Sequence, residues 1–311
     1  MSASAAAAAT AESTVMLTNE TVFRAYAGGK IATFSKPFNR FGVIPIGGRT
    51  TVVKLQNEPN VDALFVVPST PLADAKEKVK ELAGNGPGVR FLAAPDVVHS
   101  MYLQEWSAAF PDALVLGVDG LQAKNPDIKS WYGIYGRDSP AQTEAYQFEP
   151  EIKAVYFPTF GNKDVVFFHA PTKTLITADL IFNFPLKEQY ANTPARKPTS
   201  WIPFLNSVSG ALNPFKSMHQ SFLWGQGAMA PIPDNDPNDG VKLSKAGGSA
   251  HERKQHFARA ASKVAGWDIG RLIMCHGEVI EDKQPGEEGL AKRAWISAFG
   301  KYLNPDGSVK V

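Results

Sequence analysis

A single cysteine, Cys275, stands among 311 residues. No disulfide can form within the chain, which excludes a disulfide-framed secreted scaffold and fits a reducing compartment. Nor is there an apolar run close to the roughly 20 residues needed to span a bilayer. Neither sign of charge is in excess, with 32 Lys and Arg against 30 Asp and Glu. Basic runs and aromatic–basic interleaving are also missing, so the electrostatic footprint of a nucleic-acid binder or a polybasic membrane anchor is absent. The opening MSASAAAAATAEST lacks the basic start and leucine-rich core of a secretory signal, and the arginines of a transit peptide. We therefore expect residues 1–19 to be a disordered Ala/Ser tail and the protein to be cytoplasmic, with no nucleic-acid or membrane partner. The Gly-Gly of IGGR (residues 46–49) lacks the spacing of a phosphate-binding loop and reads as a hairpin turn.

What is present is an ordinary globular balance, 44% hydrophobic and 20% charged. TVFRAYAGGKIATFSKP and RTTVVKLQ are β-branched and aromatic, which predicts strands over residues 20–70. ALFVVPSTP, GVRFLAAP and DALVLG read as further strands. The helices LADAKEKVKELAG and HSMYLQEWSAAFP alternate with them. The apolar side of the second helix is Met101, Leu103, Trp106 and Phe110. Three consecutive strands follow, IKAVYFP, DVVFFHAP and KTLITADLIF. AHERKQHFARAASKVAG then reads as a helix, RLIMCHGEVI as a strand and GEEGLAKRAWISAFGKYL as a closing helix. Strands then helices, twice over, predict two sheets packed face to face with helices outside.

Residues 185–250 break this rhythm. They are rich in Pro, Asn and Gly, and such a length without clear elements exceeds an ordinary connection. The aromatic pieces WIPFLNSV and SFLWGQGAMAPIP argue against simple disorder. A partly ordered lid, or an arm joining two copies into a homo-oligomer, fits them better.

One acid is out of place. Asp179 interrupts the apolar stretch TKTLITADLIFNFP, and a buried carboxylate is costly unless paired, hydrogen-bonded or bound to a metal. Two histidines occupy similar strand-end positions, His99 after FLAAPDVV and His276 after RLIMC, while His169 lies in DVVFFHAP. His251 and His256 belong to a charged helix and read as surface residues. Two imidazoles and a carboxylate on a rigid scaffold make a divalent-metal site with open positions. Cys275 neighbours His276 in a strand, so the two side chains should point to opposite faces, with the thiol toward the core.

These stretches carry a resemblance. FNRFGVIPIGGRTTVVKL, HSMYLQEWSAAFPDALVLG, KTLITADLIFN and LIMCHGE resemble the metallo-β-lactamase superfamily, in a branch defined only as a domain of unknown function. The resemblance implies a four-layer αβ/βα sandwich, an α/β fold of two mixed sheets with helices outside, formed as one domain over residues 20–311. It also implies that Asp179 and His276 are metal ligands. The superfamily's first motif, His-x-His-x-Asp-His, is reduced here to APDVVH, residues 94–99, in which only His99 survives. The stretch FPTFGN, where a further histidine belongs, has none. One metal, Zn or Fe, is thus the expected cofactor. His99, Asp179 and His276 would be its ligands, with His169 as a fourth ligand, an outer partner or a satisfied core residue. Asp96 is the candidate general base. The expected activity is metal-dependent hydrolysis of a small uncharged ester, lactone, thioester or amide. A binding or scaffold protein that has lost its metal and a mononuclear iron oxygenase are the alternatives.

Overall fold

The structure, a computed structural model, describes residues 14–16, 20–193, 211–236, 241–283 and 287–311. The chain begins with β1 (Thr14–Met16), β2 (Val22–Tyr26), β3 (Ile31–Lys36), β4 (Asn39–Arg40), β5 (Ile44–Pro45), β6 (Gly48–Lys54) and β7 (Leu64–Val67). Helices and strands then alternate through α1 (Lys76–Ala83), β8 (Val89–Ala93), α2 (Leu103–Ala109), β9 (Leu114–Val118), α3 (Leu121–Lys124), β10 (Gly133–Tyr135) and α4 (Pro140–Thr143). The second half supplies β11 (Ile152–Phe157), β12 (Asp164–His169), β13 (Thr174–Asn183), α5 (Ser217–Gln226), α6 (Ala250–Ala265), β14 (Arg271–Gly277), β15 (Ile280–Glu281) and α7 (Leu290–Ala298).

The strands form an eight-stranded sheet, β1-β2-β3-β6-β7-β8-β9-β10, and a five-stranded sheet, β11-β12-β13-β14-β15. Both are mixed. β7 to β10 run parallel in the larger sheet and β13 with β14 in the smaller, the other pairs being antiparallel. The short pair β4–β5 is a separate hairpin.

The strands of the smaller sheet are apolar on both faces because both faces are covered. Val165 and Phe167 of β12, Ile176 of β13 and Ile273 of β14 enter a core shared with the larger sheet. Their neighbours Val166, Phe168, Leu175, Leu272 and Met274 pack under Phe257 and Ala261 of α6 and Trp295 of α7. Val79 of α1 with Leu103 and Trp106 of α2 join the first core from the larger sheet's side. The result is the expected four-layer α/β sandwich of two mixed sheets with helices outside.

Helix boundaries follow local chemistry. Gly84 ends α1 at φ 53°, with its N–H on the carbonyls of Lys80 and Glu81. At the start of α6, Ser249 and Glu252 close a reciprocal capping box. α2 starts later than the sequence pattern implied, leaving Met101 64% exposed instead of on an apolar helix face. On α6, His251 is exposed as expected, but His256 is buried.

Part of the 185–250 segment is built into the fold. Leu186 and Tyr190 pack beside Phe184 and Ile46, and Leu223 of α5 lies in the helix-covered core. WIPFLNSV lies outside the described residues. Within the expected tail, Thr14–Met16 pairs with β2. No helix among the described residues is long and apolar enough to cross a membrane.

Arg49 ties the layers together. It is 1% exposed, and its guanidinium donates to Ser35 Oγ at 2.9 Å in the larger sheet and to the Met274 carbonyl at 2.6 Å in the smaller. It also pairs with Glu188 Oε1 at 3.2 Å, fastening the chain that follows β13.

Candidate metal centre

The parallel strands β8, β13 and β14 end near one another, and their carboxyl ends carry the site, as open α/β sheets commonly arrange it. β13 and β14 run in register from Thr174↔Arg271 to Thr177↔Met274 and regain it at Phe182↔His276. Between those points β13 passes more residues than β14, and Asp179 lies in the resulting irregularity. This explains the lone acid in an apolar strand: a bulge re-aims its side chain. His276 ends β14 beside it. Gly277 follows at φ +105°, where a Cβ would lie 2.3 Å from the Asn183 carbonyl oxygen, so only glycine lets the strands close here.

His99 lies in the turn beyond β8. Asp96 Oδ1 accepts the N–H groups of Val98 and His99, each at 2.7 Å, and shapes that turn. Its Oδ2 lies 2.7 Å from His99 Nδ1. A carboxylate accepts, so Nδ1 carries the proton and Nε2 presents a lone pair in the neutral ring. At His276, Nδ1 faces the carbonyl oxygens of Gly47 at 2.8 Å and Ile46 at 3.1 Å. Carbonyls also only accept, so this ring has the same tautomer. The His276 ring lies parallel to Phe182, with centroids 5.6 Å apart.

The two Nε2 atoms face each other at 2.9 Å. Asp179 Oδ1 completes the triangle, 3.4 Å from His276 Nε2 and 3.8 Å from His99 Nε2. That oxygen is buried without a hydrogen bond, while Oδ2 accepts from Asn162 Nδ2 at 2.6 Å. Two imidazole lone pairs and a carboxylate oxygen thus converge, and they repel unless a cation lies among them. A proton or a metal ion answers that need. The donor set, two imidazoles and one carboxylate with outer partners fixing each ring, is of a kind that could hold a metal ion.

The field of the centre agrees. Burial opposes a charge on His99, but Asp96 and Asp179 outweigh it and raise its pKa well above the usual value. Burial would raise Asp179, yet the positive charge that His99 and His276 carry when protonated holds it down at about 2. Asp164, fully buried, accepts the Asp179 N–H at 2.9 Å; burial first, then Asp96 and Asp179, push its carboxyl well up. Cys275 is buried, 3.6 Å from Ser69 Oγ, and burial pushes its thiol up to about 11, but it lies within electrostatic reach of His99, Asp96 and Asp179 instead of being turned away from the centre into the core.

Solved structures of metallo-β-lactamases resemble the fold. DIM-1, in a crystal exposed to ceftazidime, is 10% identical over 91% of this chain and 97% of its own, at a TM-score of 0.48. The metallo-β-lactamase from Erythrobacter litoralis is 10% identical over 93% and 96%, also at 0.48. VMB-1 is 12% identical over 91% and 99%, at 0.48. Likenesses at this level carry no argument about the chemistry, which rests on the site's own geometry. No protein-family model and no curated protein matches the sequence.

The structure brings together three of the five residues singled out in the sequence. His99, Asp179 and His276 offer ligand atoms all within 4.8 Å of one another. His169 is outside that group. Its Nε2 lies 3.0 Å from Glu151 Oε1 and its Nδ1 2.7 Å from Thr172 Oγ1, so both nitrogens are engaged elsewhere. Asp96 is fully buried and committed to His99 and two backbone N–H groups, which does not suit a general base. Its geometry is that of a carboxylate orienting the His99 ring. Sequence reasoning missed Asn162, Asp164 and the carbonyls of Ile46 and Gly47. Asn162 comes from FPTFGN, the stretch that lacks the further histidine.

A cleft of about 290 Å³ opens on His99 and His276. Phe38, Phe41, Ile46, Val98, Met101 and Tyr102 make its wall mostly apolar, and Arg40 brings a guanidinium to it whose charge reaches Asp179. Phe41 and Met101 are 80% and 64% exposed at the rim.

Proposed function

We propose that the centre holds one divalent metal ion and that the protein is a metal-dependent hydrolase on a metallo-β-lactamase-like scaffold with a reduced first motif. One observation carries this reading: outer partners force both rings to present Nε2 lone pairs to each other at 2.9 Å beside an unpaired buried carboxylate oxygen. Such an ion, when bound, lowers the pKa of a coordinated water to about 7 and polarises a carbonyl.

The chain's own residues supply the rest. His99, Asp179 and His276 hold the ion. Asp96 and the Gly47 carbonyl keep the rings in the ligating tautomer, and Asn162 occupies the second oxygen of Asp179. Three protein ligands leave positions open for water and substrate. The cleft seats an apolar body next to those positions. Its cation at Arg40 and apolar wall disfavour a positively charged substrate and admit a neutral or anionic ester, lactone, thioester or amide. The same ligands suit non-haem iron. Oxygen-dependent turnover by the iron-loaded protein would therefore place it among oxygenases instead.

Elemental analysis of purified protein, with melting curves in added Zn, Mn, Co and Fe(II), tests the centre. We expect about one equivalent of metal per chain and a stabilisation of about 2.7 kcal/mol at a hundredfold excess over Kd. His99→Ala and His276→Ala should abolish both. A metal-free wild-type protein whose melting none of these ions moves would leave a proton as the resident cation and the chain as a scaffold.

A further inference from the structure

A second cavity, of about 240 Å³, lies at one edge of the sandwich and shares no lining residue with the cleft at the metal centre. It forms where β10, the edge strand of the larger sheet, meets β11, the edge strand of the smaller. Tyr135 of β10 and Tyr156 of β11 are in its wall, with ring centroids 6.2 Å apart. α6 turns His256, Arg259 and Lys263 toward it, and Glu149 precedes β11 in the same wall.

Three polar atoms of this wall are buried without a hydrogen-bond partner: Tyr135 Oη, Tyr156 Oη and His256 Nδ1. Tyr135 and His256 are only 5% and 7% exposed. Native proteins rarely leave such atoms unpaired, since each costs about 1–3 kcal/mol. Together they call for an occupant.

The wall says which kind. His256 Nε2 lies 3.0 Å from Asp236 Oδ1, so it carries the proton and Nδ1 offers a lone pair. Each phenol oxygen can accept, and so can Glu149. Burial pushes the Glu149 carboxyl up to about 7, outweighing the Ala154 N–H and the charges of Lys153 and Lys263, which pull it down. Four acidic residues, Asp138, Glu144, Glu149 and Asp236, line the space against the basic Arg259 and Lys263. The wall is rich in acceptors, negative in balance and faced with two aromatic rings. An anion is disfavoured there. A compact cation with several N–H groups satisfies the acceptors and gains from the rings.

We propose that this cavity is a binding site for a small primary ammonium compound, whose head group is taken by Glu149, the phenol oxygens of Tyr135 and Tyr156, and His256 Nδ1.

Calorimetric titration of the full chain with n-propylammonium and with putrescine tests this, with sodium chloride at equal ionic strength, glucose and inorganic phosphate as controls. We expect saturable amine binding, weakened at least about tenfold by Glu149→Gln and by Tyr156→Phe, since a hydrogen bond to a charged group is worth about 1.5–3 kcal/mol. Both substitutions keep side-chain shape, and unchanged circular dichroism would show that each variant folds. Asp179→Asn, at the metal centre, should leave amine binding intact. No saturable amine binding would make the cavity a hydrated crevice and overturn the assignment. Equal binding by Glu149→Gln, or tighter binding of glucose or phosphate, would overturn it too.

Discussion

Replacing Asp96 by Asn tests the tautomer argument at the metal centre with a nearly isosteric change. In the wild type, Oδ1 accepts two backbone N–H groups and Oδ2 accepts from His99 Nδ1, all three at 2.7 Å. An amide keeps one acceptor oxygen. If that oxygen stays on the N–H groups of Val98 and His99, the NH₂ group faces His99 Nδ1. The ring must then bare its lone pair there and move its proton to Nε2. If the amide turns over, its NH₂ confronts two N–H donors and both of those hydrogen bonds are lost. A hydrogen bond is worth about 1 kcal/mol net, so the first arrangement, which keeps two more of them, wins by about 2 kcal/mol. It points an N–H at the ion's place instead of a lone pair. Loss of an outer partner of this kind costs about 10- to 100-fold in metal affinity, or roughly 1.4–2.7 kcal/mol. Chelator competition on metal-loaded Asp96→Asn measures the affinity, and ¹⁵N imidazole shifts of the metal-free protein report the tautomer. Wild-type affinity with His99 still protonated at Nδ1 would refute the reasoning.

Three further outcomes follow from the same structure. Gly277→Ala puts a Cβ 2.3 Å from the Asn183 carbonyl oxygen at φ +105°. Urea unfolding should show a loss of roughly 1–3 kcal/mol for the backbone and a similar amount for the overlap, with weaker metal binding as His276 shifts. His219 is buried with Nε2 accepting the Phe182 N–H, and burial lowers its pKa from the usual 6.5 to about 4. The unfolded chain takes up this proton below pH 6.5 and the folded chain only near pH 4. His219 therefore contributes fully above 6.5 and loses about 3 kcal/mol of stability as pH falls to 4. His219→Gln, which keeps an acceptor, should flatten that part of the stability–pH curve, and an unchanged curve would contradict the burial argument. Phe167→Ala empties a fully buried site against Phe65, 5.1 Å away between ring centroids, and should cost about 3–5 kcal/mol by chemical denaturation.

The strands were legible because both faces of the smaller sheet are buried, so β12, β13 and β14 appear in the sequence as apolar runs. Asp179 and His276 stood out against those runs for the same reason. Asp96 stands out in the sequence as an acid beside His99, but its role depends on which atoms its two oxygens face, and a one-dimensional pattern does not carry that. His256 was read as a surface residue because α6 is highly charged. The loop that brings Asp236 over it is distant in sequence. Asn162 and the carbonyls of Ile46 and Gly47 left no signal, as backbone acceptors have no residue type and an asparagine in a turn is commonplace. The hairpin β4–β5 is too short to show a period, yet it sets Arg40 at the cleft.

His99 reaches the centre from the larger sheet, whereas Asp179 and His276 reach it from the smaller. A bound ion would thus act as a rivet across a joint that Arg49 already pins from within. Stripping it should loosen the two halves against each other before either unravels, and amide exchange would register first along that seam. Neither half of the gene product, expressed alone, would own enough of the rivet to keep it.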